Sequence, residues 1–262
     1  MSTSSAPIPP ATPLHPRRRA LLIGASSGIG AALARQLARD GYTLALLSRR
    51  ADLLAELCAA INLEGGETRA VPFTHDVTDY ASIPALLKEI ITTLGGLDLV
   101  IYNAGLTLHQ GIEGWDPDKS RGMMEVNILG AMAWLDPIGE MFQQLGQGQI
   151  VGISSVAGER GRVRNPAYNA SKAALTTYLE ALRNRLTRHG VNVLTVKPGF
   201  VKTQLIEHLP SAPGAVSPER AAADIARAIR KRKQQVYVPG LWRWVMLIIR
   251  NIPSFVFRRL NI

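Results

Sequence analysis

Cysteine is almost absent from this sequence. Cys58 is the single cysteine among 262 residues, so no disulfide can form within the chain and a cysteine-based metal site is excluded. The five histidines are scattered without the spacing of metal ligands, and we therefore expect no metal site. A chain without disulfides suits a reducing compartment, and we expect a cytoplasmic location.

Long apolar runs are also missing. No stretch reaches the ~18 to 20 consecutive apolar residues that a membrane-spanning helix requires. The first sixteen residues contain five prolines among Ser, Thr and Ala, and they lack the apolar core of a signal peptide. We expect residues 1–17 to form a disordered Pro-rich tail, and we expect the protein not to span a membrane.

Acidic residues are absent from both ends of the chain. Residues 1–39 hold five Lys or Arg and residues 226–262 hold nine, with no Asp or Glu in either segment. Residues 40–225 hold sixteen basic and twenty acidic residues, so the net charge of +10 comes from the two ends. Because the body is slightly acidic, this distribution argues against a nucleic-acid-binding domain.

What the sequence does contain is a regular alternation of short apolar runs and longer helical patterns. This alternation is typical of parallel strands joined by right-handed crossover helices. We predict a single doubly wound α/β domain over residues 18–240, with a seven-stranded parallel sheet and helices on both faces. The predicted strands are residues 20–23, 43–47, 69–73, 97–102, 149–153, 191–196 and 235–238. The predicted helices are roughly residues 28–40, 51–63, 79–94, 117–145, 166–188 and 218–232.

A glycine-rich turn follows the first predicted strand. It reads Gly24-Ala25-Ser26-Ser27-Gly28-Ile29-Gly30 and leads directly into a helical pattern. Glycines there permit a tight turn and close backbone approach, which favour a pyrophosphate at the start of the helix. The alternative is a turn with a purely structural role.

A tyrosine and a lysine with helical spacing form the second chemical motif. Tyr168 and Lys172 are four residues apart, so a helix places the phenol and the ammonium on one face. A nearby cation favours the phenolate and lowers the phenol pKa towards the range useful for proton transfer. Ser155 lies thirteen residues upstream, at the end of an apolar run, and alternation along a strand turns its neighbour Ser154 to the opposite side.

Further motifs follow the glycine turn along the chain. They are His75-Asp76-Val77, Asn103-Ala104-Gly105, Asn127, Ser155 with Val156-Ala157-Gly158, the Tyr168/Lys172 pair, and Pro198-Gly199 with Thr203. This set resembles the short-chain dehydrogenase/reductase superfamily, in its simple single-domain branch, over roughly residues 18–240. Ile23 departs from the pattern, since the family often has Thr at that position.

The resemblance implies a Rossmann-type dinucleotide site and a catalytic set. Asp76 would bond the adenine, Val77 would pack on it, and an Asn on the long fourth helix, here Asn127, would hold a water in a proton relay. The implied catalytic residues are Ser155, Tyr168, Lys172 and Asn127. The implied cofactor-binding residues are Gly24, Ser26, Ser27, Gly28, Ile29, Gly30, Arg49, Asp76, Val77, Asn103, Ala104, Gly105, Tyr168, Lys172, Pro198, Gly199, Val201 and Thr203. The alternatives are a turn-capping carboxylate for Asp76 and a plain helix-surface amide for Asn127.

The end of the second predicted strand bears on the choice of dinucleotide. An NAD site usually presents an Asp or Glu there to the ribose 2′-hydroxyl, whereas this chain reads Leu47-Ser48-Arg49-Arg50. An acidic side chain would repel a 2′-phosphate, and Arg49 offers a planar fork to it. The sequence therefore predicts NADP(H) in preference to NAD(H). The alternative is that both arginines are solvated residues at the start of the next helix.

These motifs together predict an NADP-dependent oxidoreductase that interconverts a carbonyl and an alcohol. Residues 204–217 are predicted to be a mobile lid, and their apolar content suggests an apolar substrate. The resemblance also implies a homodimer or homotetramer. Two alternatives are a catalytically idle dinucleotide-binding scaffold or redox sensor, and a methyltransferase with a similar glycine-rich turn.

The segment 241–262 lies beyond the last predicted strand. It mixes Trp, Leu, Ile and Phe with four Arg and no acidic residue, a composition suited to the surface of an anionic membrane. Pro253 divides it into two pieces too short to span a bilayer. The sequence predicts peripheral membrane attachment. The alternative is that this segment packs over the substrate pocket or at a subunit interface.

Overall fold

The computed structural model describes residues 18–66, 69–204 and 212–260. The predicted N-terminal tail, and residues 205–211 of the predicted lid, lie outside the described residues. Within the described residues, no helix is both long and apolar enough to cross a bilayer.

Seven parallel strands form a single sheet, which confirms the predicted fold class. The strand order is β3-β2-β1-β4-β5-β6-β7. From the adjacent central strands β1 and β4, strands β2 and β3 are added towards one edge of the sheet, and β5, β6 and β7 are added towards the other. The strands are β1 (Arg19–Ile23), β2 (Thr43–Ser48), β3 (Ala70–Thr74), β4 (Leu99–Tyr102), β5 (Gln149–Ile153), β6 (Asn192–Pro198) and β7 (Gln235–Val238).

Helices cover both faces of this sheet. They are α1 (Gly28–Arg39), α2 (Ala51–Gly65), α3 (Ile83–Leu94), α4 (Pro117–Met124), α5 (Gly130–Leu145), α6 (Pro166–Leu186), α7 (Pro218–Arg230), α8 (Trp242–Asn251) and α9 (Ser254–Phe257). The packing of β1 shows why residues 20–23 are all apolar. Ala20 and Leu22 pack under α1, α2 and α7, whereas Leu21 and Ile23 pack under α3, α5 and α6.

The predicted helix 117–145 is not one continuous α-helix. A π-helical turn, Glu125–Leu129, separates α4 from α5. The hydroxyl of Tyr102, at the end of β4, donates to the backbone oxygen of Val126 at 2.6 Å. Gly130 leaves room for that phenol, because a Cβ atom at this position would lie 2.7 Å from the Tyr102 oxygen. A single π turn inside a helix is often found at a functional site.

Candidate active site

The glycine turn after β1 packs tightly against the segment that follows β4. A Cβ atom on Gly24 would lie 2.5 Å from the backbone nitrogen of Ala104, and Gly24 has φ +88°. A Cβ atom on Gly30 would meet the Gly24 oxygen at 2.1 Å. The side chain of Asn103 donates to the same Gly24 oxygen at 2.6 Å. Because a side chain at position 24 or 30 would collide with neighbouring atoms, glycine is required at both positions. The turn and the Asn103–Gly105 segment form one surface.

The loop after β6 reaches the same edge of the sheet. Pro198 is the last residue of β6, and the Gly199 backbone nitrogen donates to the Val238 oxygen at 2.9 Å. A Cβ atom on Gly28 would lie 2.9 Å from the Thr203 methyl group, so this loop touches the glycine turn. Val201 is buried and forms a bridge with Val216. Predicted residues from three separate loops thus converge at the carboxyl edge of the sheet.

Two arginines follow β2, and the second of them contacts the glycine turn. Arg49 forms an ion pair with Asp76 at 3.4 Å, and the Arg49 side chain is mostly exposed. Arg50 donates to the hydroxyls of Ser26 and Ser27, and its Nε lies 3.1 Å from Ser26 Oγ. The sequence predicted only Arg49 as a site residue. Arg50 was missed because its contacts join residues more than twenty positions apart.

Asp76 caps a turn as well as pairing with Arg49. Its carboxylate accepts hydrogen bonds from the backbone nitrogen and the hydroxyl of Thr78, at 3.0 and 2.8 Å. Burial raises the Asp76 pKa, but the Thr78 hydrogen bonds and the Arg49 charge more than offset it and leave the pKa below its ordinary value. Val77 is buried in the core, next to Gly130.

Asn127 is a buried residue within the π-helical turn, so its interpretation as a plain helix-surface amide is wrong. Its side-chain nitrogen donates to the Leu106 oxygen and to the Ser171 hydroxyl, each at 2.9 Å. Its side-chain oxygen accepts from the Leu106 nitrogen at 2.7 Å. Asn127 therefore ties the loop after β4 to α6, the helix that carries Tyr168 and Lys172.

Ser155, Tyr168 and Lys172 lie together where β5 ends against α6. Lys172 Nζ donates to the Ile153 oxygen at 3.0 Å and lies 5.9 Å from the Tyr168 ring centre. A Cβ atom on Gly105 would lie 3.4 Å from Lys172 Nζ and 3.6 Å from Asn127 Oδ1. The structure thus brings the four predicted catalytic residues and the Asn103–Gly105 segment into one cluster.

Ser154 and Ser155 point to different surroundings, as alternation along the strand predicts. The Ser154 hydroxyl is buried and donates to the Lys172 oxygen at 2.9 Å. The Ser155 hydroxyl accepts from the Ala157 nitrogen at 3.0 Å and lies close enough to Tyr168 to lower the pKa of that phenol. Ser154 supports the start of α6, and Ser155 faces the cluster.

Burial governs the acid–base properties of the cluster. It lowers the pKa of Lys172 to about 8, because the ammonium is far from water. It also raises the pKa of Tyr168, and the Ser155 hydroxyl and the charge of Arg162 only partly offset that effect. The sequence predicted a lowered Tyr168 pKa with Lys172 as the responsible cation. In this structure the pKa is raised, and the cation that opposes burial is Arg162.

Arg162 was not identified from the sequence. It belongs to Arg160-Gly161-Arg162-Val163-Arg164, a run with three arginines, and nothing in the pattern distinguishes the middle one. Arg160 instead holds the end of α8: it donates to the backbone oxygens of Ile249, Arg250 and Ile252, at 2.7, 3.0 and 2.6 Å.

Helix α8 packs along the edge of the cluster. The Trp242 indole covers Gly199, where a Cβ atom would lie 1.9 Å from the indole nitrogen, and it meets the Phe200 ring edge-on at 5.5 Å. Met246 is fully buried, and its sulfur lies 3.8 Å from an Arg162 nitrogen. The inner face of α8 therefore provides an apolar wall beside Val156 of the turn after Ser155 and beside Arg162.

A buried ion pair fixes the turn that follows Ser155. Glu159 ends the short 3₁₀ helix Val156–Glu159, and its carboxylate pairs with Lys197 of β6 at 2.7 Å. The Tyr237 hydroxyl of β7 donates to the same oxygen. Removing one member of such a buried pair costs about 3 to 5 kcal/mol, so the turn is held firmly to the sheet.

Comparison with known proteins identifies this arrangement. The sequence model of one family, described as short chain dehydrogenase, matches residues 18–213. The protein belongs to the short-chain dehydrogenase/reductase family. It is accordingly an NAD(P)-dependent oxidoreductase, in agreement with the fold and with its relatives.

Its relatives in the short-chain dehydrogenase/reductase family come from distant organisms. A ketoacyl reductase, HetN, of Nostoc sp. is 33% identical over 223 residues, which cover 83% of this chain and 77% of the relative. An uncharacterised oxidoreductase of Mycobacterium tuberculosis is 31% identical over 233 residues, with coverages of 88% and 92%. Dehydrogenase/reductase SDR family member 7B of Bos taurus is 29% identical over 256 residues, with coverages of 92% and 79%.

Solved structures of the family superpose well on this chain. An alcohol dehydrogenase from the archaeon Thermococcus sibiricus, complexed with 5-hydroxy-NADP, has a TM-score of 0.76 and 28% identity, and the match covers 84% of this chain and 95% of that one. A short-chain dehydrogenase from Streptomyces avermitilis has a TM-score of 0.76 and 27% identity, with coverages of 88% and 94%.

Proposed function

We propose that this protein is an NADPH-dependent reductase that converts a carbonyl group to an alcohol, with Ser155, Tyr168, Lys172 and Asn127 as its catalytic set. The observation that supports the proposal is the cluster of these four side chains beside the glycine turn and Gly105. The similarity to a ketoacyl reductase agrees with reduction of the carbonyl as the direction of the proposed reaction.

The cluster suits proton donation to a carbonyl oxygen. Because burial keeps the Tyr168 pKa above its ordinary value, the phenol stays protonated at neutral pH and can act as a general acid. The Ser155 hydroxyl orients the carbonyl and donates a hydrogen bond as negative charge develops on its oxygen. Lys172 and Asn127 position the proton relay through which Tyr168 regains its proton.

The residues at the carboxyl edge of the sheet fit a dinucleotide. Gly28 and Gly30 contribute no side chain at the start of α1, where backbone N–H groups favour a pyrophosphate. We assign contacts with the dinucleotide to the glycine turn with Ser26, Ser27 and Ile29, to Asp76 and Val77, to the Asn103–Gly105 segment, and to Pro198, Gly199, Val201 and Thr203. The reduced cofactor supplies the hydride.

The preference for NADP(H) rests on the end of β2. Arg50 places a guanidinium group beside Ser26 and Ser27, and Arg49 places one beside Asp76, whereas an NAD type of site has a carboxylate at the end of this strand. A bidentate guanidinium matches a 2′-phosphate in charge and in geometry. The related alcohol dehydrogenase was solved with an NADP derivative, which agrees with this assignment.

The substrate and the assembly follow from neighbouring surfaces. Trp242, Met246 and Phe200 form an apolar wall beside Arg162 and the loop after β6, which suits a substrate with an apolar portion. We also propose a homodimer or homotetramer, as is common in the family that the sequence resembles.

The C-terminal helices support peripheral attachment to a membrane. Trp242, Met246 and Ile249 pack inward with Val156 and Tyr237, so one face of α8 lies against the body of the protein. The opposite face is exposed and apolar, with Trp244 60% and Ile248 68% exposed. The exposed apolar residues of this surface are Leu241, Trp244, Leu247, Ile248, Phe255, Val256 and Leu260. We call this surface the outer face, and anionic lipid is its proposed partner.

The substitution Tyr168→Phe tests the proposed function. Only the phenolic hydroxyl is removed and the ring still packs, so kcat should fall by about 10²-fold or more while NADPH binding is unchanged. Tyr178→Phe is the matched control, since Tyr178 lies on the same helix but bonds Asp136 instead. Turnover would be measured as NADPH oxidation with a panel of ketones, aldehydes and acyl carbonyls. A Tyr168→Phe enzyme with more than about a tenth of the wild-type kcat contradicts the assignment.

A further inference from the structure

Arg162 has a buried guanidinium nitrogen that lacks a hydrogen-bond partner. Its Nε is inaccessible to solvent, and within residues 18–66, 69–204 and 212–260 no atom accepts a hydrogen bond from it. The contact that the structure shows for its terminal nitrogens is the Met246 sulfur at 3.8 Å. A thioether is a weak acceptor and carries no charge, so Met246 does not compensate the positive charge of Arg162.

The neighbouring arginines show that this environment is specific to Arg162. Arg160 is satisfied by three backbone oxygens at the end of α8 and lies 3.9 Å from the Phe257 ring centre. Arg164 is exposed to solvent. Of the three, only Arg162 carries a buried nitrogen without an acceptor in the described part of the chain.

The position of Arg162 places this charge at the candidate active site. Its loop connects the Ser155 turn to α6, and its backbone oxygen accepts from Asn169, next to Tyr168, at 3.5 Å. Burial raises the pKa of Tyr168, and the Arg162 charge, together with the Ser155 hydroxyl, partly opposes that rise. Helix α8, which carries Met246 and Trp242, lies on the other side of Arg162. Arg162 is therefore a cation set in the apolar wall beside the proposed proton donor.

The Arg162 side chain is partly buried, with its Nε inaccessible to solvent, and it has no anion beside it. Burial of an unpaired charge is unfavourable, and proteins normally compensate it with a carboxylate or a phosphate. No Asp or Glu of the described residues forms an ion pair with Arg162. The described residues thus supply no anion for this guanidinium, and a ligand bound at the cluster of Ser155, Tyr168 and Lys172 would supply one.

We propose that Arg162 binds an anionic oxygen group of the substrate, a carboxylate or a phosphate, and so selects amphiphilic carbonyl compounds that carry an acid near the reacting carbon. The apolar wall of α8 receives the hydrocarbon portion, and the guanidinium receives the acid with charge-assisted hydrogen bonds. This inference rests on the proposed reductase function for its catalytic consequence, but the binding of the anion does not depend on turnover.

Paired substrates test the proposal by kinetics. A series of medium-chain oxo acids that differ in carbonyl position would be compared with the methyl ester of each acid. For the wild-type enzyme, at least one acid should have a kcat/KM about tenfold or more above that of its ester, as expected for one charge-assisted interaction. Arg162→Gln should lower kcat/KM for that acid, mainly through KM, by about tenfold more than it lowers kcat/KM for the ester.

Control variants separate binding from other roles. Arg164→Gln makes the same charge change two residues away on an exposed side chain and should leave acid and ester unchanged. Arg162→Lys should retain part of the preference, since it keeps the charge but loses the planar fork. An equal loss of kcat/KM for the acid and the ester in Arg162→Gln would overturn the proposal, because it would show that Arg162 acts through Tyr168 and not on the anionic group. An unchanged acid preference would overturn it as well.

Equilibrium binding gives a readout that does not need catalysis. Decanoate and decyl phosphate would be titrated into the NADP⁺-loaded wild-type protein, with tryptophan fluorescence or calorimetry as the signal. At least one should bind about tenfold or more weakly to Arg162→Gln, while decanol binds both proteins equally. If no carbonyl compound is reduced but this difference is seen, the proposed function fails and the anion site stands. If neither anion distinguishes the two proteins, the anion site fails.

Discussion

Lys172 is a charged residue in a place that favours its neutral form. Burial lowers its pKa to about 8, whereas a lysine in the unfolded chain keeps a value near ~10.4. Between these two values the unfolded state binds more protons, so the contribution of Lys172 to stability rises with pH over this range. Below pH 8 the protein carries the full cost of the buried charge, about 3 kcal/mol.

Lys172→Met should therefore stabilise the protein while abolishing turnover. Relative to wild type, the gain in free energy of unfolding should be largest near pH 7 and should shrink by about 3 kcal/mol as the pH rises past 10. Urea unfolding of both proteins without added cofactor measures this free energy as a function of pH. Subtracting the wild-type value from the variant value cancels the contributions of the other titrating groups. Lys88→Met is the control, because Lys88 is exposed on α3. A Lys172→Met difference that does not vary with pH contradicts this account of the pKa.

At the scale of elements, the proposed preference for NADP(H) rests on the carboxyl end of β2. The strand delivers Arg49 and Arg50 to the edge where the glycine turn begins α1. Arg49→Asp replaces a cation that pairs with a 2′-phosphate by a carboxylate that repels it, so the preference for NADPH over NADH should be erased or reversed, mainly through KM. Steady-state kcat/KM with each cofactor measures this.

The control for this substitution is Arg188→Asp, an equal charge change at an exposed position remote from β2. It should leave the cofactor ratio unchanged. Equal use of NADPH and NADH by the wild-type enzyme would show that the arginines at the end of β2 do not select the cofactor.

Across the whole molecule, charge and exposed apolar surface are concentrated at the C-terminal end. Residues 241–262 carry Arg243, Arg250, Arg258 and Arg259 without an acidic residue, and they hold the outer face of α8 and α9. Full-length protein should co-sediment with anionic vesicles at low salt, less at high salt, and weakly with neutral vesicles.

Substitution of the outer face tests this attachment without removing α8 from the body. Trp244→Ser with Ile248→Ser should abolish sedimentation with anionic vesicles and leave NADPH binding intact. Leu63→Ser is the matched control, because Leu63 is 86% exposed on α2, away from the C-terminal helices. Full-length protein that stays in the supernatant with anionic vesicles at low salt would rule out the attachment.

The features that could be predicted from the sequence are those with local causes. Alternating strand and helix patterns identified all seven strands within about two residues of their ends, because each pattern reflects burial on both faces of a parallel sheet. The glycine turn and the spacing of Tyr168 and Lys172 are equally local, since turn geometry and helical periodicity are set by neighbours along the chain.

Only the tertiary structure decided what depends on contacts between distant residues. The π-helical turn forms because Tyr102 reaches Val126, and Arg50 lies at the cofactor turn because β2 is adjacent to β1. Among three similar arginines, folding buries Arg162 beside Tyr168 and Met246. Helix α8 likewise has one face on the body and one facing outward. Burial and charge compensation depend on the whole fold, and a single stretch of sequence does not encode them.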